Sequence, residues 1–172
     1  MPFDTLLHAN CGPLLDRYLA QGSAASPSLD SRFYEDVEYR PAMSGCYELY
    51  IPAPPTAERG KAMFYHIATR NFFAWLLGKS LVGDHLGGTL VTLLYSMNNF
   101  RNADSNNEQE ILDYMDKEGY ADMRNQPDYA LAILYFAEHF RFRNVWIDAY
   151  AHCVGMYELL SRSTEYEVCL LY

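Results

Sequence analysis

Asp148 and His152 stand four residues apart, the spacing at which two side chains share one face of a helix. A carboxylate placed there can hold an imidazole in one tautomer, which is what a general base serving a nucleophile requires. The neighbouring thiol of Cys153 cannot be that nucleophile from the same regular helix, because consecutive helical side chains point about 100° apart. Cys153 falls instead on an apolar stripe with Trp146, Ala149 and Tyr150, which assigns it to the core as an inert thiol. A second chemistry would be zinc. His8, Cys11, His152 and Cys153 are the ligand types a tetrahedral ion takes, but nothing local predicts that they converge. The residue pattern therefore assigns no catalytic residue, no metal site and no cofactor.

Two further constellations fail on spacing. Gly78-Lys79-Ser80 is the tail of a phosphate loop, whose amide groups curl around phosphate only if an earlier glycine opens the turn. The position that glycine would fill is Phe73, and Gly83, Gly87 and Gly88 do not match dinucleotide-binding spacing either. Between Asp104 and Asp122 run seven carboxylates, Asp104, Glu108, Glu110, Asp113, Asp116, Glu118 and Asp122, against Lys117 alone. They lack the alternating ligands and central glycine of a calcium loop, so they read as a solvated helix face or a dock for a basic partner.

The elements that must position these groups are mostly helical. Residues 1–22 suit one short helix, or two divided near Gly12-Pro13, and residues 22–31 are small and polar, a loop. Residues 33–51 carry alternating aromatic and acidic side chains, predicting a small β element whose better strand is 46–51, stopped by Pro52, Pro54 and Pro55. Helices are then expected over 56–77, stopped by Gly78, and from about Asp84 through Met97, with Asn98 to Asn107 as a polar loop. In the first of these, Met63, Phe64, Ile67, Ala68, Phe72, Trp75 and Leu76 form an apolar stripe. Ser105 and Glu108 stand at capping-box spacing to open the next helix, which Gly119 ends. A helix opened by Asn125 and Pro127 is apolar all round from Tyr129 to Ala137, so it belongs at the centre. The last, 145–160, carries the Trp146, Ala149, Tyr150, Cys153, Tyr157 and Leu160 stripe.

These segments sort into an N-terminal helical segment and loop (1–31), a single helical domain with a short β element (32–161) and a C-terminal tail (162–172). The 172 residues carry 13 Lys plus Arg against 22 Asp plus Glu, a formal charge of −9, which would repel the polyphosphate backbone of nucleic acid. No apolar run approaches the roughly 20 residues of a membrane span, and Met-Pro-Phe-Asp at the start is no basic leader. Cys11, Cys46, Cys153 and Cys169 form no close pair and read as reduced thiols of an intracellular protein, with two disulfides as the alternative. Fifteen tyrosines either line the edge of the core or form a surface for a partner.

Three stretches together resemble an uncharacterised domain family of filamentous-fungal proteins: Glu48-Leu-Tyr-Ile-Pro-Ala-Pro54; His66-Ile-Ala-Thr-Arg-Asn-Phe-Phe-Ala-Trp-Leu-Leu-Gly-Lys79 leading to Leu81-Val-Gly83; and Ala130-Leu-Ala-Ile-Leu-Tyr-Phe-Ala-Glu138 with Trp146-Ile-Asp-Ala-Tyr-Ala-His-Cys-Val-Gly-Met156. The resemblance covers residues 46–160. It implies a helical domain and brings no activity and no catalytic residues. The element order, with Ala137-Glu138-His139-Phe140 followed by Val145-Trp146, is also similar to the later portion of the BTB/POZ fold, a protein-interaction module, here without the N-terminal hairpin. The expectation is a mainly α, bundle-like domain acting as an adaptor or scaffold for a protein partner or a second copy, with no nucleic acid and no membrane. The alternative is a hydrolase-type or metal-dependent enzyme using Asp148 and His152.

Overall fold

The computed structural model describes residues 3–19, 49–54 and 59–167. Among them are eight helices: α1 (Phe3–His8), α2 (Gly12–Tyr18), α3 (Arg59–Leu76), α4 (Leu86–Phe100), α5 (Asn107–Lys117), α6 (Pro127–Phe140), α7 (Arg143–Gly155) and α8 (Tyr157–Leu160). The only β pairing among the described residues is an isolated antiparallel bridge between Leu19 and Leu49. The expected β element lies largely outside the described residues, as do Cys46 and Cys169 and the loop at 22–31. The described part, mainly α, shows nothing that marks a BTB/POZ arrangement.

The centre is the contact of α4 with α6. Leu90, Leu93, Leu94 and Met97 of α4 meet Ala130, Ile133 and Phe136 of α6 in one buried cluster. Full burial of each large side chain contributes roughly 1.5–3 kcal/mol. The two backbones run close because α4 opens on glycine: a Cβ at Gly87 would lie 3.1 Å from the Ala132 carbonyl oxygen and 3.2 Å from its Cα. Around this pair, α3 packs on α4 through Phe72, whose ring meets Phe100 edge-on at 5.1 Å. α2 and α5 also pack on α4, and α7 lies on α6 through the buried Ala149 and Cys153.

Residues expected to be loop or stop do well where geometry is local. The N-terminal segment is two helices, divided where Asn10 takes a left-handed φ of 56°, with Pro13 in the first turn of α2 where its missing N–H costs nothing. Gly78 ends α3 with φ of 57°, and Gly119 follows α5 with φ of 80°. The helix from Tyr129 to Ala137 is central as expected, with Ala130, Leu131, Ala132, Ile133, Phe136 and Ala137 buried.

Four expectations are corrected. First, the capping box at Ser105 and Glu108 does not form. Asn106 is the cap, its side chain accepting from the Gln109 amide at 3.3 Å, while Ser105 Oγ is buried without a partner. The register moves by one residue because Arg101 holds Asn107 in place. Second, Asn98 to Phe100 are helical, extending α4 through the expected loop. Third, 145–160 is not one helix: Met156 has φ of −115° and ψ of 23°, which separates α7 from α8. Fourth, two apolar stripes lie partly in solvent, with Met63 and Phe64 of α3 66% and 67% exposed, and Tyr150 and Tyr157 exposed as well.

Residues 163–167 pack back on the bundle. Glu165, 3% exposed, accepts from the amides of Leu86 and Gly87 at the start of α4, supplying the negative charge a helix N-terminus favours. Asp128, in the first turn of α6, accepts from Ser163 Oγ and the Thr164 amide.

Candidate functional site

α7 presents three faces, and each takes a different sequence-predicted residue. The inner face carries Ala149 and Cys153 into the core. Burial pushes the Cys153 thiol above its ordinary range and that of Cys11 up to about 11, so both stay protonated at neutral pH and are poor nucleophiles. Both are free thiols. Cys11 donates a hydrogen bond from Sγ to the Ala9 carbonyl at 3.6 Å, and His8 is exposed at the end of α1. Among the described residues no three His, Cys, Asp or Glu side chains stand at metal-holding geometry, so His8, Cys11, His152 and Cys153 are not gathered.

The second face carries Asp148 and His152. They line an open depression of about 450 Å³ together with Ala151, Gly155 and Met156 of the same region and Arg124 and Asn125 of the loop between α5 and α6. Asn125, with φ of 57°, takes a left-handed turn that its short polar side chain tolerates. Arg124 forks onto Asp122, with Nε to Oδ1 at 2.7 Å and Nη2 to Oδ2 at 2.9 Å. The Arg124 hydrogen bonds hold the Asp122 carboxyl down at about 2, with a lesser contribution from His152. Structure thus unites the two predicted residues with an ion pair that no sequence spacing announced. Among the described residues no hydrogen bond joins Asp148 to His152, and no Ser, Thr or Cys side chain is in the lining. The depression offers an imidazole, one carboxylate and a guanidinium already paired with Asp122 beside it, a polar surface without a Ser, Thr or Cys side chain.

The third face is apolar and open. Ile147, Tyr150 and Val154 follow one another at helical steps and are 51%, 50% and 55% exposed, and Tyr157 at the start of α8 is exposed as well. Trp146, half-buried, stacks on Tyr150 with ring centres 5.0 Å apart and planes 6° apart. That stack covers one face of the Tyr150 ring. Among the described residues, α7 packs chiefly on α6, which leaves this face in solvent.

The remaining sequence candidates are structural. The backbone of Gly78-Lys79-Ser80 and the two residues after it is already spent: Asn71, fully buried, clamps Val82 N and O through its amide at 3.0 and 2.6 Å. Tyr114 donates to the Lys79 carbonyl at 2.6 Å, Leu81 N donates to Tyr120 at 3.0 Å, and Ser80 Oγ reaches Glu118. Those amides cannot cradle a phosphate. His66 and Arg70 face an apolar groove with Ala62, Met63, Ile67 and Val82. Of the acidic segment, Glu110 turns inward to Arg101 at 2.9 Å, and Glu108, Asp113 and Asp116 stay on the exposed side of α5. Sequence reasoning missed Asn71, whose signal was an amide directly before the apolar run Phe72 to Leu77, and Arg101, which carried no signal at all.

No helix among the described residues is long and apolar enough to cross a membrane. Residues 108–170 match a family described as a domain of unknown function (DUF8004), a span that contains the depression and the open face of α7. No curated protein and no solved structure matches the chain.

Proposed function

We propose that this chain is a protein-interaction module whose docking face is the outer side of α7 and α8. The observation that carries this reading is Ile147, Tyr150 and Val154 of α7 with Tyr157 at the start of α8, four large apolar side chains in solvent, with Tyr150 stacked on Trp146. Exposed apolar surface of this kind on a folded domain marks a contact with another molecule, and aromatic anchors are among the residues that dominate such contacts. The tyrosine excess of the sequence is consistent with it, since Tyr150 and Tyr157 are among those in the open. The two buried free thiols favour a reducing, intracellular setting, and the resemblance to a fungal family belongs to the same reading.

The Asp148 and His152 enzyme reading has the shared depression in its favour and lacks a nucleophilic side chain there. The two separate in one experiment. A photo-crosslinking amino acid at Tyr150, compared with one at Asp113 on α5, is expected to yield protein adducts from position 150 in the cells that make this chain, and these persist in His152→Ala. Absence of adducts at 150 beyond those at 113 would overturn the docking reading.

A further inference from the structure

A second open face lies on α3, and we infer that it docks an acidic peptide with large apolar side chains, supplied by a partner protein. The inference goes beyond the α7 reading, uses a different helix and stands if that reading fails. Ala62, Met63, His66, Ile67 and Arg70 of α3 line a groove of about 620 Å³, with Val82 as its lip. Their steps of three and four residues place them on one helix face, a strip about 10 Å long at 1.5 Å per residue. Met63 and Val82 are exposed, as is the neighbouring Phe64. The lip is tied to α3, since the buried Asn71 amide bonds both the N–H and the carbonyl of Val82. With one helical wall and one lip, the groove leaves one side of any occupant in water. That suits a peptide laying its apolar side chains into the strip better than a small molecule, which needs most of its surface enclosed.

Charge selects the kind of peptide. From Arg59 to Gly83 the chain has four Lys or Arg and no Asp or Glu, although the whole carries −9. Lys61, His66 and Arg70 are exposed, and no carboxylate lines the groove. Arg70 is held at the rim through Nη1, which donates to Asn71 Oδ1 at 3.0 Å and to the Ser80 carbonyl at 3.1 Å. Among the described residues both of its hydrogen bonds leave from that one nitrogen, so Nε and Nη2 remain for a carboxylate, whose two oxygens match a guanidinium fork. A groove that is apolar and cationic, on a chain that is acidic elsewhere, favours an acidic segment and repels a basic one. An anionic bilayer is the other acidic surface, but its negative potential would repel the rest of this chain.

The test selects a displayed library of random peptides on the full chain, then measures the selected peptides by fluorescence anisotropy. They are expected to be rich in Asp and Glu beside Leu, Ile, Met or Phe, with affinity that falls as salt is added. Met63→Asp is expected to weaken binding about tenfold or more and His66→Glu about fivefold or more, each with an unchanged circular dichroism spectrum because both side chains are exposed. Arg70→Gln is expected to match His66→Glu, which breaks no hydrogen bond among the described residues and so keeps the charge claim testable if loss of Arg70 loosens Ser80. No selected peptide, a selection without acidic bias, or affinities indifferent to Met63→Asp and His66→Glu would overturn the inference. So would binding to phosphatidylserine vesicles, or self-association, that Met63→Asp abolishes, since the face would then belong to a membrane or to a second copy. Peptide binding that appears only after Glu35, Asp36 and Glu38 are changed to Gln would assign the groove to this chain's own residues and equally overturn a separate partner.

Discussion

The guanidinium of Arg101 lies 5.0 Å from the centre of the Trp75 ring, joining the last turn of α3 to the end of α4. It is 4% exposed and spends its donors on the Ala9 carbonyl, Asn107 Oδ1 and Glu110 Oε1 at 2.8, 2.6 and 2.9 Å. One side chain thus ties four elements of the chain. Arg101→Ala leaves those acceptors unpaired and is expected to cost about 3–5 kcal/mol. Arg101→Lys keeps the charge but loses the planar fork and is expected to fall between the two. Urea unfolding followed by circular dichroism measures both, and a loss under about 1 kcal/mol for alanine would contradict this account.

The paired glycines of α4 should respond in opposite directions. Gly88 has open space where a Cβ would go, so Gly88→Ala is expected to stabilise by about 0.5–1 kcal/mol through helix propensity and a less free unfolded chain. Gly87→Ala drives a methyl toward the Ala132 backbone, which cannot swing aside, and is expected to destabilise by about 1–3 kcal/mol. Thermal melts of the two variants side by side provide the check, and equal shifts would refute the close approach of α4 and α6.

Burial of Cys11 gives a pH dependence with a defined sign. Its pKa is raised from 9.0 to about 11, chiefly by desolvation, so the folded state holds the proton more tightly than the unfolded chain. Stability from this group is fully present below pH 9.0 and is lost as pH rises through about 11. The urea midpoint of the wild type is expected to fall over that interval and that of Cys11→Ala to fall less. Alkylation by iodoacetamide at neutral pH should leave Cys11 unmodified until denaturant is added.

The pair beside the depression makes the converse prediction. Asp122 is depressed from 3.8 to about 2 by Arg124, so the interaction is intact above 3.8 and is lost as pH falls through about 2. Arg124→Ala is expected to return the Asp122 carboxyl toward its ordinary range in a carbon-detected NMR titration. Because the pair is exposed, with Arg124 and Asp122 side chains 80% and 55% accessible, overall stability should scarcely change. An unmoved Asp122 titration would mean the fork is not formed in solution.

Legibility followed the range of the physics. Gly78, Gly119 and Pro13 were readable because a left-handed φ or a missing N–H acts within a few residues, and the central helix was readable because nine successive positions without charge leave no side to expose. Ser105 and Glu108 misled because capping boxes are local, whereas Asn107 is held by Arg101 and Asn98 from another helix. The stripe over 145–160 misled because apolar spacing says which residues share a face and is silent on whether a neighbour covers it.

From sequence alone follow the mainly helical class, the stops and the burial of α6, since backbone preference and hydrophobic periodicity are properties of short segments. Only the tertiary structure decided that His152 and Asp148 join Arg124 while Cys153 turns away, that Glu165 caps a helix 78 residues earlier, and that one flank of α7 meets solvent. Those outcomes depend on which surfaces meet across the bundle, and long-range packing leaves no periodic trace in the residues that receive it.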